Sequence, residues 1–316
     1  MWRDMKPDET ITVTITGGHR IKAYSFGSGS DVLFLVNGGP GLPCDYLREA
    51  HSCFVDQGFR VVAFDQLDCG ASDRPNDPSL WTLERHVRET EEVRSKLGLG
   101  KVHFLGHSWG GWQAIEYAMT FPENLASLIL SSTVADMAQL RAELDRLKAA
   151  LGPETVAMMQ RHEAQGSFTH PEYMGAITVL NCRHVCRLQD TPAPVTRSLS
   201  DWNMGPYSAV QGPNEFTYIG NIRTWSRLAD LGRIDVPVLI TVGQYDEQTP
   251  ACALEMKLRL RNAELAVFPN SSHVPFYEDP HLYYPVLQDF LARNRLSCAT
   301  VSGAIRAGNG CMERIL

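Results

Sequence analysis

Compact apolar runs that stop abruptly at Gly, Asp, Ser or Asn constrain this chain most. They are DVLFLVNGG (31–39), FRVVAFDQ (59–66), KVHFLGHS (101–108), LASLILSS (125–132), PVLITVG (237–243) and LAVFPN (265–270). Short, continuous and rich in β-branched residues, such runs read as strands covered on both faces of a parallel sheet. Between them lie stretches of helical period, among them TLERHVRETEEVRSKLGL, WGGWQAIEYAMTF and YYPVLQDFLARNRL. Strand–helix alternation predicts a doubly wound, mostly parallel α/β sheet. ITVTITGGHRIKAYSFG adds two short strands around a Gly17-Gly18 turn, an antiparallel hairpin at the start.

The alternation breaks after Ser132. ADMAQLRAELDRLKAAL, PETVAMMQRHEAQ and HPEYMGAITVLNCRHVCRL are helical by period, and TPAPVTRSLSDWNMGPYSAVQGPNEF reads as a Pro- and Gly-punctuated loop. The expected organisation is a first core segment over 1–132, an inserted all-helical cap over 133–228, a second core segment over 229–296 and a tail over 297–316. A cap at that point sits over the carboxyl ends of the strands, where open α/β sheets bind ligands.

Net charge is −7 with no basic block, which argues against nucleic acid and anionic membranes as partners. No run of 18 apolar residues predicts a membrane span, and MWRDMKPDET has no apolar core of a secretory signal. Eight scattered cysteines without a framework spacing read as thiols of a reducing, cytoplasmic compartment. Cys182, His184 and Cys186 have a metal-like look. On a helix, however, His184 points away from the other two and no fourth ligand is evident, so no metal is expected.

The chemistry centres on GHSWGG, residues 106–111, which places Gly106, Ser108 and Gly110 in a G-x-S-x-G pattern between a strand and a helix. A chain of this length holds such a pattern by chance about 0.1 times. A turn this tight raises Ser108 as a nucleophile, and its glycines remove side chains that would clash. A serine hydroxyl needs a base, and the base an orienting acid. Asp246 and His273 follow later strands, in the order serine, acid, histidine that nucleophile-elbow hydrolases use. The other histidines have blander places: His103 in a strand, His86, His162 and His184 in helices, His107 packing beside the nucleophile. The oxyanion donors expected are the N–H of Trp109 and one from the NGGPG loop, Gly39 first and Gly38 as the alternative.

NGGPG, FDQLDCGASDRP, GHSWGG, GPNEF, GQYDEQTP and SSHVPFYEDP occur in that order. The set resembles the proline iminopeptidase branch of the α/β-hydrolases, which includes the tricorn-interacting aminopeptidase, from about Ile11 to Leu296. The chain departs from that pattern at Asn37, where His is usual, and at Asp68, where Gly is usual. The resemblance implies an α/β-hydrolase fold and release of an N-terminal residue without a cofactor. It also implies that Glu215 and Glu247 bind the free α-amine of a small peptide or of an amino-acid amide or ester. Physically, two close carboxylates suit a buried ammonium. Trp202, Tyr207, Phe216 and Trp225 are candidates for the substrate pocket or for the cap core. An amino-acid amidase, an esterase on the same fold and a binding protein without activity are the rival readings. The residues leave oligomeric state open.

Overall fold

The computed structural model describes residues 5–296; the expected tail over 297–316 lies outside the described residues. Eight strands form one sheet: β1 (Glu9–Thr14), β2 (Arg20–Phe26), β3 (Asp31–Val36), β4 (Phe59–Asp65), β5 (Val102–His107), β6 (Leu125–Ser131), β7 (Val238–Gly243) and β8 (Ala263–Phe268). Their spatial order is β1-β2-β4-β3-β5-β6-β7-β8. β1 pairs antiparallel with β2, and β2 with β4; every later pairing is parallel. Every residue of β3, β5 and β7 is buried, as expected of covered strands, whereas the LAVFPN run forms the edge strand β8, in which only Phe268 is buried. Within β3 the alternation sends Val32, Phe34 and Val36 into one core and Leu33 and Leu35 into the other.

Helices cover both faces. α1 (Asp45–His51) follows β3, α2 (Leu83–Lys96) follows β4, and α3 (Trp109–Thr120) follows β5. α4 (Met137–Ala149), α5 (Pro153–Gln165), α6 (Pro171–His184), α7 (Ala193–Ser200) and α8 (Met204–Val210) all lie between β6 and β7. α9 (Pro250–Arg259) joins β7 to β8, and α10 (Pro275–Glu278) and α11 (Pro280–Arg293) end the described chain. The α2, α3 and α9 side chains Val93, Ile115 and Met256 enter one core, and Leu47 of α1 and Leu287 of α11 the other. Each such fully buried side chain contributes about 1.5–3 kcal/mol. Among the described residues no helix is long and apolar enough to cross a membrane.

Two helices, α7 and α8, stand where a loop was expected. Their prolines mislead as breakers: Pro192 precedes α7 and Pro194 and Pro206 fall in first turns, where no intrahelical N–H bond is lost. The five inserted helices leave the sheet and return at one point. Asp136 and Ser226 form an antiparallel bridge, with Met137 N–H donating to Trp225 O at 3.0 Å and Arg227 N–H to Ala135 O at 2.8 Å. Their own core gathers Leu140, Leu144, Tyr173, Ile177 and Phe216 around Trp109 and Trp112 of α3.

Candidate active site

Four strand ends of the sheet meet at one place. The serine turn follows β5, the Asn37–Gly41 loop follows β3, Asp246 follows β7 and His273 follows β8. Ser108 has φ 56°, a left-handed conformation that a non-glycine residue holds only at about 1–3 kcal/mol. The flanking glycines are sterically required. A Cβ on Gly106 would lie 2.2 Å from Gly110 O, and one on Gly110 would lie 2.0 Å from Val36 O. The strand, the turn and α3 therefore approach closely enough to lift Ser108 to the sheet edge.

His273 Nδ1 lies 2.9 Å from Asp246 Oδ1 in hydrogen-bond geometry, and Asp246 Oδ1 also accepts the Gln248 N–H at 2.9 Å. Glu247 Oε1 is as close to Nδ1, at 3.0 Å, but neither of its oxygens has a hydrogen-bond partner among the described residues. The single Nδ1–H is thus directed at Asp246. Ser108 Oγ accepts from Gln248 Nε2 at 3.3 Å and has no hydrogen bond to His273 among the described residues. Such contacts are commonly loose before substrate arrives.

Burial alone would raise the Asp246 carboxyl, but the His273 charge and hydrogen bonds outweigh it and hold it below the usual range. Burial would lower His273, and Asp246 reverses this so that the imidazole sits above its ordinary value. Glu247 is pushed well above the carboxylate range by burial, then by the charges of Asp246 and Glu215. Glu215 is raised by burial against the pull of His273 and the hydrogen bond from Gln211. Its Oε2 accepts Gln211 Nε2 at 2.6 Å. Asp246, Glu247 and His273 place ligand atoms within 4.8 Å of one another, as do His162, His170 and Glu172 among the inserted helices. The Cys182, His184 and Cys186 set is not gathered: His184 Nδ1 meets Tyr245 O at 2.7 Å, and the two cysteines line the cavity.

Three residues that the sequence did not single out organise the loops. Gln66, after β4, donates to Asn37 O at 3.0 Å and accepts from Trp109 Nε1 at 3.0 Å and Gln113 Nε2 at 2.9 Å. It fastens the loop after β3 to the start of α3. Gln248 touches the serine, as described. Tyr46 of α1 accepts the Gly38 N–H at 2.7 Å and meets His107 Nδ1 at 2.7 Å. His107 Nε2 lies 2.8 Å from His273 O, a carbonyl that can only accept. The proton therefore sits on Nε2, and Tyr46 must donate to Nδ1. Burial, reinforced by the nearby His273 charge, keeps His107 neutral, its pKa lowered to about 3. His107, expected to pack, links the Gly38 loop to the His273 loop. The Gly38 N–H is therefore taken by Tyr46. Trp109, at the first position of α3, has no carbonyl one turn back within the helix.

Ser108, His107, Gly38, Glu215 and His273 line one cavity of about 430 Å³. Trp202 and Tyr207 line it too, whereas Phe216 and Trp225 belong to the core of the inserted helices. Asn37 and Asp68 are buried and not in its lining. Asp68 has φ 69°, a backbone easier for glycine, and its carboxylate accepts Trp81 Nε1 at 2.7 Å and Asn76 N–H at 2.8 Å. The inserted helices are stitched to the site through Trp202 Nε1 to Pro40 O at 2.9 Å, Asn203 N–H to Gly41 O at 2.9 Å and Glu247 N–H to His184 O at 3.2 Å.

This sheet and serine turn define a hydrolase of the α/β-hydrolase fold, and the model of that family matches residues 31–280. A proline iminopeptidase of Saccharolobus solfataricus is 36% identical over 272 residues, covering 85% of this chain and 87% of that protein. The crystal structure of a proline iminopeptidase from Mycobacterium smegmatis superposes with a TM-score of 0.83 at 31% identity, covering 90% of this chain and 98% of that one. The crystal structure of VinJ gives 0.86 at 31% identity, covering 92% and 100%. The chain belongs to the proline iminopeptidase branch of the α/β-hydrolase family.

Proposed function

We propose that the protein releases an N-terminal amino acid from a small peptide, or from an amino-acid amide or ester, with a free α-amine required. Ser108 Oγ attacks the acyl carbonyl while His273 Nε2 takes its proton. Asp246 holds the imidazole through Nδ1 and stabilises the imidazolium that forms. The N–H groups of Gly39 and Trp109 receive the oxyanion. His273 then passes its proton to the leaving amine or alcohol, and water repeats the sequence in reverse on the acyl-enzyme. Glu215 and Glu247 bind the substrate ammonium, and the helices over 133–228 act as a cap that excludes water from the pair. No cofactor is needed for these steps.

The observation that carries this reading is the placement of Glu247. It is fully buried beside Asp246 and His273, and its oxygens accept no well-formed hydrogen bond among the described residues, an arrangement that a bound cation would relieve. The kinship with proline iminopeptidases supports the release of an N-terminal residue. Cysteines without disulfides among the described residues suit a cytoplasmic setting.

The test is the Ser108→Ala variant together with paired substrates, free and N-acetylated. The variant should keep its melting temperature and lose turnover, and an active-site serine label should attach at Ser108 in the wild type only. Wild-type enzyme should cleave the free amine and spare the acetylated partner. Turnover by a folded Ser108→Ala protein would end the covalent mechanism, and equal cleavage of both partners would end the amine requirement.

A further inference from the structure

The cavity is far from uniform. One end holds the serine, His273 and Glu215, with Asp246 and Glu247 directly behind His273. The other end runs between α6 and α7 and is walled by Ile177, Val185, Val195, Leu199 and Met204. Among the described residues no lysine or arginine lines any part of it. Of the arginines near α6 and α7, Arg187 lies over the Tyr245 ring at 3.8 Å and Arg197 pairs with Glu49, while Arg183 on α6 is exposed and not part of the lining. At the mouth, Met174, Leu199 and Met204 are 44%, 48% and 44% exposed. A volume of about 430 Å³ falls within the range of whole small-molecule ligands, well beyond the ammonium and acyl carbon of one small residue.

These features bear on the group that leaves. A free dipeptide carries a carboxylate two bonds beyond its peptide nitrogen. In this cavity that carboxylate meets no lysine or arginine among the described residues and shares the space with Glu215, with Asp246 and Glu247 behind His273. Taking a carboxylate out of water without a partner is strongly unfavourable. An alkyl chain on the same nitrogen or oxygen meets apolar walls instead. We infer that the apolar groove between α6 and α7 is a leaving-group subsite, and that the substrates are aminoacyl amides or esters of an uncharged, apolar amine or alcohol rather than free short peptides. This rests on the amine-anchored hydrolase reading given above. It adds the nature of the group on the far side of the scissile bond. The chemistry balances as ordinary hydrolysis: the acyl–N or acyl–O bond breaks, water supplies the hydroxyl of the released amino acid, and its proton goes to the departing amine or alcohol.

The experiment compares the prolyl and alanyl amides of n-butyl-, n-hexyl- and n-decylamine with prolyl-leucine and its C-terminal amide. Each methylene that becomes fully buried should raise kcat/KM by up to about fourfold, until the groove is filled. Prolyl-leucine amide should exceed prolyl-leucine by at least about tenfold, because the uncompensated carboxylate is gone. Leu199→Arg puts a cation on a half-exposed wall position, and should move the ratio of prolyl-leucine to decylamide cleavage toward the dipeptide by about tenfold or more. A flat chain-length series, or a dipeptide cleaved as well as its amide, overturns the subsite. A ratio unmoved by Leu199→Arg in a folded protein does the same. Calorimetric binding of prolyl n-decylamide and its N-acetyl form to Ser108→Ala separates the two layers of the argument. If affinity grows with chain length but ignores acetylation, the groove stands and the ammonium assignment falls. If acetylation abolishes binding and chain length has no effect, the ammonium assignment stands and the groove falls.

Discussion

Replacing Glu247 with Gln separates a binding role from a structural one, because the two predict opposite signs for stability. Glu247 has no solvent exposure, its oxygens accept no well-formed hydrogen bond among the described residues, and burial, then the charges of Asp246 and Glu215, push its carboxyl well above the ordinary range. Burial and the neighbouring charges thus favour its protonated form, of which Gln is close to an isostere. The linkage sign follows. An acid whose folded pKa is raised above its unfolded value, ordinarily near 4.5, binds more protons folded than unfolded in the interval between the two. Stability contributed at low pH is lost as pH rises through that interval. The Gln variant lacks this loss, so its melting temperature should equal the wild type's near pH 4 and exceed it increasingly as pH rises. Catalysis should move the other way. Bound substrate needs Glu247 as a carboxylate, and leaving a buried ammonium short of one partner costs about 3–5 kcal/mol, or roughly a hundredfold to a few thousandfold in kcat/KM. A neutral ester without an amine should change little. The assay is kcat/KM for both substrates beside melting curves over a pH series. Equal loss on both substrates would refute the reasoning. So would a melting temperature several degrees below wild type at neutral pH.

On a neutral ester, the acid limb of kcat/KM should report His273, which must be neutral to accept the serine proton. Asp246 raises it against burial, so activity should fall as pH drops through a value above 6.5, and Asp246→Asn should move the limb down while lowering the rate; a pH–rate profile of each checks this. Tyr46→Phe leaves the Gly38 N–H and His107 Nδ1 without their shared partner. It should destabilise by about 1–3 kcal/mol in urea unfolding and lower kcat about tenfold with little change in KM, since the loop that holds the Gly39 donor loses its support.

What was legible in the sequence is what depends on neighbours along the chain. Strands covered on both faces need continuous apolar runs, so β3 to β7 stood out. The serine turn needs glycines at fixed spacing because Gly106 and Gly110 sit against backbone oxygens, so it stood out as well. Asp246 and His273 were singled out through strand ends and chain order, and their side chains meet at 2.9 Å. Tyr46, Gln66 and Gln248 were missed for the converse reason. Tyr46 reaches His107 across 61 positions, Gln66 reaches Gln113 across 47, and Gln248 reaches Ser108 across 140. No local pattern marks a glutamine or tyrosine whose partners are that remote. That Tyr46 occupies the Gly38 N–H was hidden in the same way. α7 and α8 were hidden by prolines whose position in the first turn, rather than presence, decides their effect.

The bridge between Asp136 and Ser226 makes the inserted helices a closed excursion from the sheet. Whatever lies between those two residues, the chain leaves β6 and re-enters toward β7 through the same pair of backbone hydrogen bonds. The entropy of closing so long a loop grows only with the logarithm of its length. Lengthening or exchanging the excursion therefore changes the fold's free energy little, while it rebuilds most of the walls that a substrate touches. Ser108, Asp246 and His273 all lie outside the excursion. The sheet can thus keep one chemistry while its clientele is rewritten by grafting. The graft has two natural seams, Ala135–Met137 on the way out and Trp225–Arg227 on the way back.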